Sequence, residues 1–95
     1  MTKALILSFL QEHKVEMQEK FGLKKIGLFG SYAQDMANDD SDIDFVIETE
    51  KKDFFVRDDL KTFLEHSFNK TVDIGYLDSF RSFYKKKIEQ EIVYV

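Results

Sequence analysis

Two aspartates, Asp42 and Asp44, stand at the start of the alternating stretch "SDIDFVIE", residues 41 to 48. Side chains two residues apart on a strand emerge on the same face, with Cα atoms about 6 to 7 Å apart. At an effective dielectric constant near 20, two such carboxylates repel each other by roughly 2 to 3 kcal/mol. A shared proton, a nearby Lys or Arg, open water or a divalent cation would each relieve this repulsion.

A third aspartate, Asp73, and the step Gly30-Ser31 add to a set of residues suited to nucleotide chemistry. Asp73 lies between Val72 and Ile74, so on a strand it faces away from these apolar neighbours. Mg²⁺ is commonly bound by one or two carboxylates together with substrate phosphates. A glycine that ends a strand allows close approach of a ligand, and the start of the next helix favours an anion. The pattern predicts a nucleoside triphosphate site, with phosphates at Gly30-Ser31 and a metal at the three aspartates.

Two common motifs for metal or phosphate binding do not fit the same stretch. A calcium loop that starts at Asp40 would place Phe45 where glycine is required and Lys51 where glutamate is required. No glycine-lysine-serine/threonine sequence follows Gly30, so the P-loop motif is absent. The two histidines, at positions 13 and 66, fall in helical patterns and are interpreted as surface or core-edge residues.

Alternating helical and strand patterns predict the elements that position these residues. The patterns predict a helix over residues 3 to 20, a strand from Ile26 to Phe29, a short helix from Ser31 to about Met36, a strand from Asp42 to Glu48, a helix capped by Asp53, a strand from Thr71 to Leu77 and a last helix that begins at Asp78 or Ser79. This order predicts an α+β fold, with a small three-stranded mixed sheet covered by helices.

Local signals mark the ends of several of these elements. Thr2 is the expected N-cap of the first helix, and Gly22 is its expected stop. The last helix is predicted from the helical spacing of Phe80, Phe83, Tyr84 and Ile88. The ending "IVYV" has three alternatives, which are fraying, pairing with a strand, or docking on a partner.

Composition restricts the class of protein. The chain has 95 residues, of which 43% are hydrophobic, so we expect a single domain, residues 1–95, with one core. A net charge of −4 disfavours stable binding to a nucleic-acid backbone. The absence of cysteine excludes disulfides, thiolate ligands and a cysteine nucleophile. No apolar run approaches the ~20 residues of a membrane span, and no secretion signal is evident, so we expect a soluble, cytoplasmic protein.

The joint pattern is more specific than its parts. Gly30-Ser31, ten further residues, Asp42-Ile43-Asp44 and a later Asp73 between apolar residues together resemble the nucleotidyltransferase superfamily that includes DNA polymerase beta. Within it, the resemblance is to the minimal nucleotidyltransferase (MNT) proteins, and it covers nearly the whole chain. It implies a polymerase-beta-like palm core.

The resemblance also implies roles for the site residues. Asp42 and Asp44 would be ligands of Mg²⁺, and Asp73 would be the third carboxylate, which helps to ready an incoming hydroxyl. Gly30 and Ser31 would hold the β and γ phosphates of the nucleotide.

The implied reaction is transfer of AMP from ATP to a hydroxyl, with release of pyrophosphate. Many proteins of this kind are antitoxins encoded with a HEPN-domain ribonuclease toxin, whose tyrosine accepts the AMP. The resemblance therefore implies a Mg²⁺-dependent antitoxin that forms a hetero-oligomer with a HEPN-family toxin.

One departure from the family pattern lies beside the glycine-serine step. Relatives commonly have glycine-serine-x-alanine-arginine-glycine, whereas this chain has "GSYAQD" over residues 30 to 35. Gln34 replaces the arginine, and Asp35 adds a negative charge near a site for phosphates. We expect this change to weaken nucleotide binding.

The sequence has three alternatives to protein adenylylation. The first is an antitoxin that neutralises its toxin by complex formation with weak or no catalysis, which Gln34 and Asp35 favour. The second is an antibiotic-modifying nucleotidyltransferase, which usually needs a further domain that 95 residues leave no room for. The third is a template-directed polymerase, which needs a basic surface that an acidic chain does not supply.

Overall fold

The helices and strands of this protein alternate along the chain. The computed structural model describes residues 1–79 and 82–95, with the backbone alone described for residues 82–84. In chain order the elements are α1 (Lys3–Glu12), α2 (Lys14–Phe21), β1 (Leu23–Phe29), α3 (Gly30–Ala33), β2 (Ile43–Thr49), α4 (Phe54–Phe68), β3 (Val72–Tyr76), a 3₁₀ turn (Leu77–Ser79), α5 (Ser82–Glu91) and β4 (Val93–Tyr94). None of the helices in these described ranges is long and apolar enough to cross a membrane.

The strands form one mixed sheet in the order β3-β2-β1-β4. β2 and β3 run parallel, whereas β1 is antiparallel to both β2 and β4. The predicted mixed sheet with helices is confirmed, but within residues 1–79 and 82–95 the sheet has four strands instead of three. The fourth strand is the chain ending, where Val93 pairs with Leu28 and Tyr94 pairs with Gly27. A strand of two residues is too short to show a period, so the sequence left pairing as one of three alternatives.

Helices α1, α2 and α4 cover one face of the sheet and bury the principal hydrophobic core. Its buried members are Ile6, Leu10, Met17, Leu23, Ile26, Leu28, Tyr32, Ala33, Ile43, Phe45, Ile47, Leu60, Leu64, Phe68, Val72 and Tyr76. Ile43, Phe45 and Ile47 of β2 all belong to this set, as the period-two pattern predicts. Asp44 therefore points to the opposite face of the sheet.

The second face of the sheet is partly covered by the end of the chain. Gly27 and Val46 are register partners in β1 and β2, so they lie on the same face, and both are buried. A Cβ atom added at Gly27 would collide with the side chain of Ile92 and lie 3.0 Å from Cδ1 of Tyr94. Residue 27 therefore has to be small for the C-terminal strand to dock.

The first predicted helix is wrong in one respect, because it is broken in two at His13. The apolar stripe of Ile6, Leu10 and Met17 continues across the break, so hydrophobic periodicity does not reveal it. At the start, the N–H of Leu5 donates to Oγ1 of Thr2 at 3.2 Å, which confirms the predicted N-cap.

The other predicted helix ends have mixed outcomes. Gly22 ends α2 in the left-handed conformation, with φ of 62°, as expected. Asp53 caps α4, because its Oδ1 accepts from the N–H groups of Phe55 at 2.9 Å and Val56 at 3.4 Å. The expected start of the last helix at Asp78 or Ser79 is wrong, since these residues belong to the 3₁₀ turn and α5 is described from Ser82. Among the positions that predict this helix, Phe80 and the side chains of Phe83 and Tyr84 lie outside the described part of the chain.

Candidate active site

Asp44 and Asp73 are direct neighbours across two parallel strands. Each is the second residue of its strand, and the β2–β3 register places them opposite each other. Partners in such a register point to the same face, which is the face away from the helical core. Asp44 is half-buried and Asp73 is exposed. The structure therefore brings together two of the predicted carboxylates from segments almost thirty residues apart in sequence.

Asp42 stands one residue before β2 and is exposed. The pKa of Asp44 is raised from 3.8 to about 6, first because burial removes water from the carboxylate, then because of the charges of Asp73 and Asp42. Both neighbours are therefore close enough to oppose ionisation of Asp44. Within residues 1–79 and 82–95, none of the three carboxylates forms an ion pair with a lysine or arginine.

The three aspartates have the chemistry of a magnesium site without forming a closed cage. Among the described residues, no three His, Asp or Glu side chains are arranged as ready-made ligands of one ion. Magnesium sites in phosphoryl-transfer enzymes are completed by substrate phosphates, since they commonly use only one or two carboxylates. The electrostatic strain on Asp44 would be relieved by a nearby cation. The donor set therefore fits a hard divalent ion that binds together with a nucleotide.

Gly30 closes the site from the side of β1. It follows Phe29, whose register partner on β2 is Asp44. Its φ is +74°, a left-handed conformation that side chains with a Cβ rarely adopt. A Cβ atom at this position would collide with Oδ2 of Asp44 and lie 3.1 Å from its Cγ. Gly30 thus begins α3 against the carboxylate of Asp44, and the half-buried Ser31 is the next residue of that helix.

Helix α3 is shorter than predicted because the backbone reverses its hand at Asp35. The helix ends at Ala33, and Asp35 has φ of +58°. The N–H of Met36 donates to the carbonyl of Ser31 at 2.9 Å, which closes the turn. Asp and Asn tolerate this conformation better than most residues with a Cβ, but glycine adopts it at the least cost. Asp35, which replaces the glycine common in the family, is therefore at a position whose backbone conformation favours glycine.

A lysine that the sequence reasoning missed lies next to the site. The Nζ of Lys70 donates to the backbone carbonyl of Asp39 at 2.8 Å and lies 5.8 Å from the ring centroid of Tyr32. No local pattern predicts such a contact, since Asp39 and Lys70 are 31 residues apart. Their proximity arises only when β2 and β3 pair.

Comparisons with known proteins give the family and the fold of this chain. A family model for the nucleotidyltransferase domain matches residues 10–95. The protein adenylyltransferase MntA of Thermococcus cleftensis is 36% identical over 91 residues, which cover 95% of this chain and 92% of that protein.

Solved structures give the same fold. A candidate minimal nucleotidyltransferase superposes with a TM-score of 0.82 at 22% identity, over 98% of this chain and 95% of that one. A chain in the complex of a tri-AMPylated Shewanella oneidensis HEPN toxin with an MNT antitoxin is similar too, with a TM-score of 0.64 at 20% identity over 92% of this chain and 69% of that one. A toxin–antitoxin crystal structure with AMP-PNP has a TM-score of 0.71 at 23% identity, over 88% of this chain and 70% of that one.

The family match and the fold agree with the resemblance found in the sequence. The match extends over helices α2 to α5 and all four strands, so it includes every predicted site residue. With these elements in the observed order, the chain belongs to the nucleotidyltransferase domain family.

Proposed function

We propose that this protein transfers AMP from ATP to a protein hydroxyl and acts as the antitoxin of a HEPN-family toxin. The observation that carries the proposal is the register of Asp44 with Asp73, closed on one side by Gly30. It is supported by 36% identity to a protein adenylyltransferase along nearly the whole chain. The compartment that we propose is the cytoplasm, where ATP is available.

The three aspartates are the proposed metal ligands. Asp42, Asp44 and Asp73 would hold Mg²⁺, which, when bound, neutralises charge on the triphosphate and on the transition state. Asp44, half-buried between its two neighbours, is the central ligand in this assignment. Gly30 and Ser31 are the proposed holders of the β and γ phosphates, because they begin a helix beside the same carboxylates.

The proposed transfer is a single displacement at the α-phosphorus of ATP. The acceptor oxygen forms a bond to this phosphorus, and the bond from phosphorus to the oxygen that bridges the α and β phosphates breaks. Pyrophosphate leaves with that electron pair, and the acceptor hydroxyl gives up its proton. Asp73 is the proposed acceptor of the proton because it is exposed on the open side of the pair with Asp44.

The proposed acceptor is a tyrosine of a HEPN ribonuclease encoded beside this protein. A structure with the same fold contains an AMPylated HEPN toxin bound to an MNT antitoxin, and another contains AMP-PNP. These complexes support ATP as the nucleotide and a HEPN protein as the partner. A phenolic hydroxyl on a partner surface also suits an active site whose aspartates are exposed or only half-buried.

A direct test uses ATP labelled on its α-phosphate, Mg²⁺ and the HEPN-type protein encoded next to this one. We expect label on the partner, located at a tyrosine by peptide mass spectrometry, and loss of its ribonuclease activity. Asp44→Asn should not transfer the label, whereas Asp40→Asn, four residues earlier in an exposed turn, should. Absence of label from the wild-type reaction would contradict the enzymatic function.

A second function is favoured by Asp35 and Gln34, which replace residues common in the family. In this alternative the protein neutralises its toxin by complex formation alone. The same reaction separates the two functions, because a purely binding antitoxin would block the ribonuclease without labelling it. Removal of ATP would leave that inhibition unchanged, whereas an adenylyltransferase would lose it.

A further inference from the structure

Lys70 joins three segments that surround the candidate active site. It stands between the end of α4 and the start of β3, three residues before Asp73. Its ammonium group donates to the carbonyl of Asp39 at 2.8 Å, in the turn before β2. The same group lies 5.8 Å from the ring centroid of Tyr32, which belongs to α3. One half-buried side chain therefore contacts both the helix that begins at Gly30 and the turn that leads to Asp42.

The backbone of the next residue supplies a second link to the same turn. The carbonyl of Thr71 accepts from the N–H of Ile43 at 3.0 Å. Asp42 thus lies between two attachment points, the Asp39 carbonyl held by Lys70 and the Ile43 N–H held by Thr71. Lys70 and Thr71 are consecutive residues. Any movement of this segment before β3 would therefore be transmitted to Asp42 from both sides.

The turn has its own hydrogen bonds, but they do not connect it to the sheet. The N–H of Asp40 donates to Oδ1 of Asn38 at 2.9 Å, and the N–H of Asn38 donates to Oγ of Ser41 at 3.0 Å. These bonds fix the shape of residues 38 to 41 but do not attach the turn to a strand. The bond from Lys70 is the link, among the described side chains, that attaches this unit to the β3 side.

We propose that Lys70 is a positioning residue, which holds the turn of residues 38–41 so that Asp42 stays beside Asp44 and Asp73. Its hydrogen bond goes to a backbone carbonyl instead of a carboxylate, so its role is to place the turn and not to neutralise the aspartates. The effect on the turn follows from the structure alone. The effect on metal-dependent transfer rests on the function proposed above.

The first test measures amide hydrogen exchange in the free protein. Lys70→Met removes the donor and keeps much of the aliphatic length, and Lys70→Arg restores a donor that also stacks on aromatic rings. Loss of a hydrogen bond from a charged group at a partly exposed site should speed exchange at residues 39–43 about fivefold to tenfold. Lys24→Met is the matched control, because it removes one positive charge from an exposed position at the opposite end of β1.

Exchange rates decide the inference. Faster exchange at residues 39–43 in Lys70→Met, with rates near wild type in Lys70→Arg and Lys24→Met, would support it. Unchanged exchange in Lys70→Met would overturn it. Thermal melts check that each variant is folded, and Lys70→Leu, which also lacks a donor, replaces Lys70→Met in the same comparison if the methionine variant does not fold.

The second test measures how transfer to the HEPN-type partner depends on Mg²⁺. Lys70→Met should need about tenfold more Mg²⁺ for half-maximal transfer, as expected when a residue that orients a metal ligand is lost. Lys70→Arg should return the requirement to the wild-type value. An unchanged requirement in Lys70→Met, with active wild type, would contradict a role in placing Asp42. No transfer by the wild type would instead refute the proposed function, while hydrogen exchange still decides whether Lys70 holds the turn.

Discussion

The carboxylate of Asp44 occupies the space that a Cβ atom of residue 30 would need. Residue 30 is glycine, and its φ of +74° is itself a conformation that favours glycine. Two independent constraints therefore fix the same residue type at the point where β1 ends and α3 begins. The glycine-serine step and the aspartate pair are thus one structural unit, although ten residues separate them in the sequence.

Gly30→Ala should destabilise the protein by about 1 to 3 kcal/mol, because it adds backbone strain and a collision with Asp44. Urea unfolding measures the free energy of unfolding. The same substitution in an Asp44→Ala background should cost less, since the carboxylate is gone. Only the backbone strain and the 3.3 Å contact with the Cβ atom of residue 44 remain. Equal costs in the two backgrounds would show that contact with Asp44 is not a source of the effect.

Asp44 should make stability fall as pH rises through its titration. Its pKa is raised from 3.8 to about 6 in the folded protein, so between these values the folded state holds a proton that the unfolded state has released. Asp44→Asn should abolish this fall in stability. Above pH 6 its free energy of unfolding should exceed that of wild type by about 1 to 2 kcal/mol, a value reduced for the partial exposure of the group. Urea unfolding of both proteins across this pH range gives the difference. If the difference in the free energy of unfolding between the two proteins did not change with pH, the raised pKa of Asp44 would be contradicted.

The three proposed metal ligands should be essential for transfer and dispensable for folding. Asp42→Asn, Asp44→Asn and Asp73→Asn should each lower the rate of AMP transfer by at least about 100-fold, since each removes charge from the proposed ion site. Chelation of divalent ions should stop wild-type transfer, and added Mg²⁺ should restore it. Circular dichroism checks the folds, and Asp40→Asn is the control for loss of one exposed carboxylate. Unchanged transfer in all three variants would show that the metal site is misassigned.

Asp35 should affect nucleotide affinity through charge and protein stability through backbone conformation. Asp35→Gly places glycine at φ of +58° and should raise the free energy of unfolding by up to about 1 kcal/mol, because left-handed geometry costs roughly that much for other residues. Asp35→Asn keeps a side chain that tolerates this geometry while removing the charge.

Titration calorimetry with ATP and Mg²⁺ separates these effects. Both Asp35 variants should bind ATP more tightly than wild type, and addition of Gln34→Arg should tighten binding further. Equal affinity in all of these proteins would mean that the departure from the family pattern does not weaken nucleotide binding.

The sequence by itself determined the features that depend on neighbouring residues. Period-two alternation located β2 and assigned Asp44 to the face opposite Phe45, because side chains alternate along a strand. Thr2 and Asp53 identified helix starts, because a cap bonds to N–H groups only a few residues away. The joint glycine-serine and aspartate pattern identified the family, and the family match agrees.

Only the tertiary structure decided what depends on residues far apart in the chain. It set the register of Asp44 with Asp73, the raised pKa that follows from it, the contact with Gly30 and the tether from Lys70 to Asp39. It also decided that the chain ending forms a fourth strand. These features arise from strand pairing and burial, which the spacing of neighbouring residues does not predict. The sequence therefore identifies the candidate site residues, and the pairing of the strands brings them together.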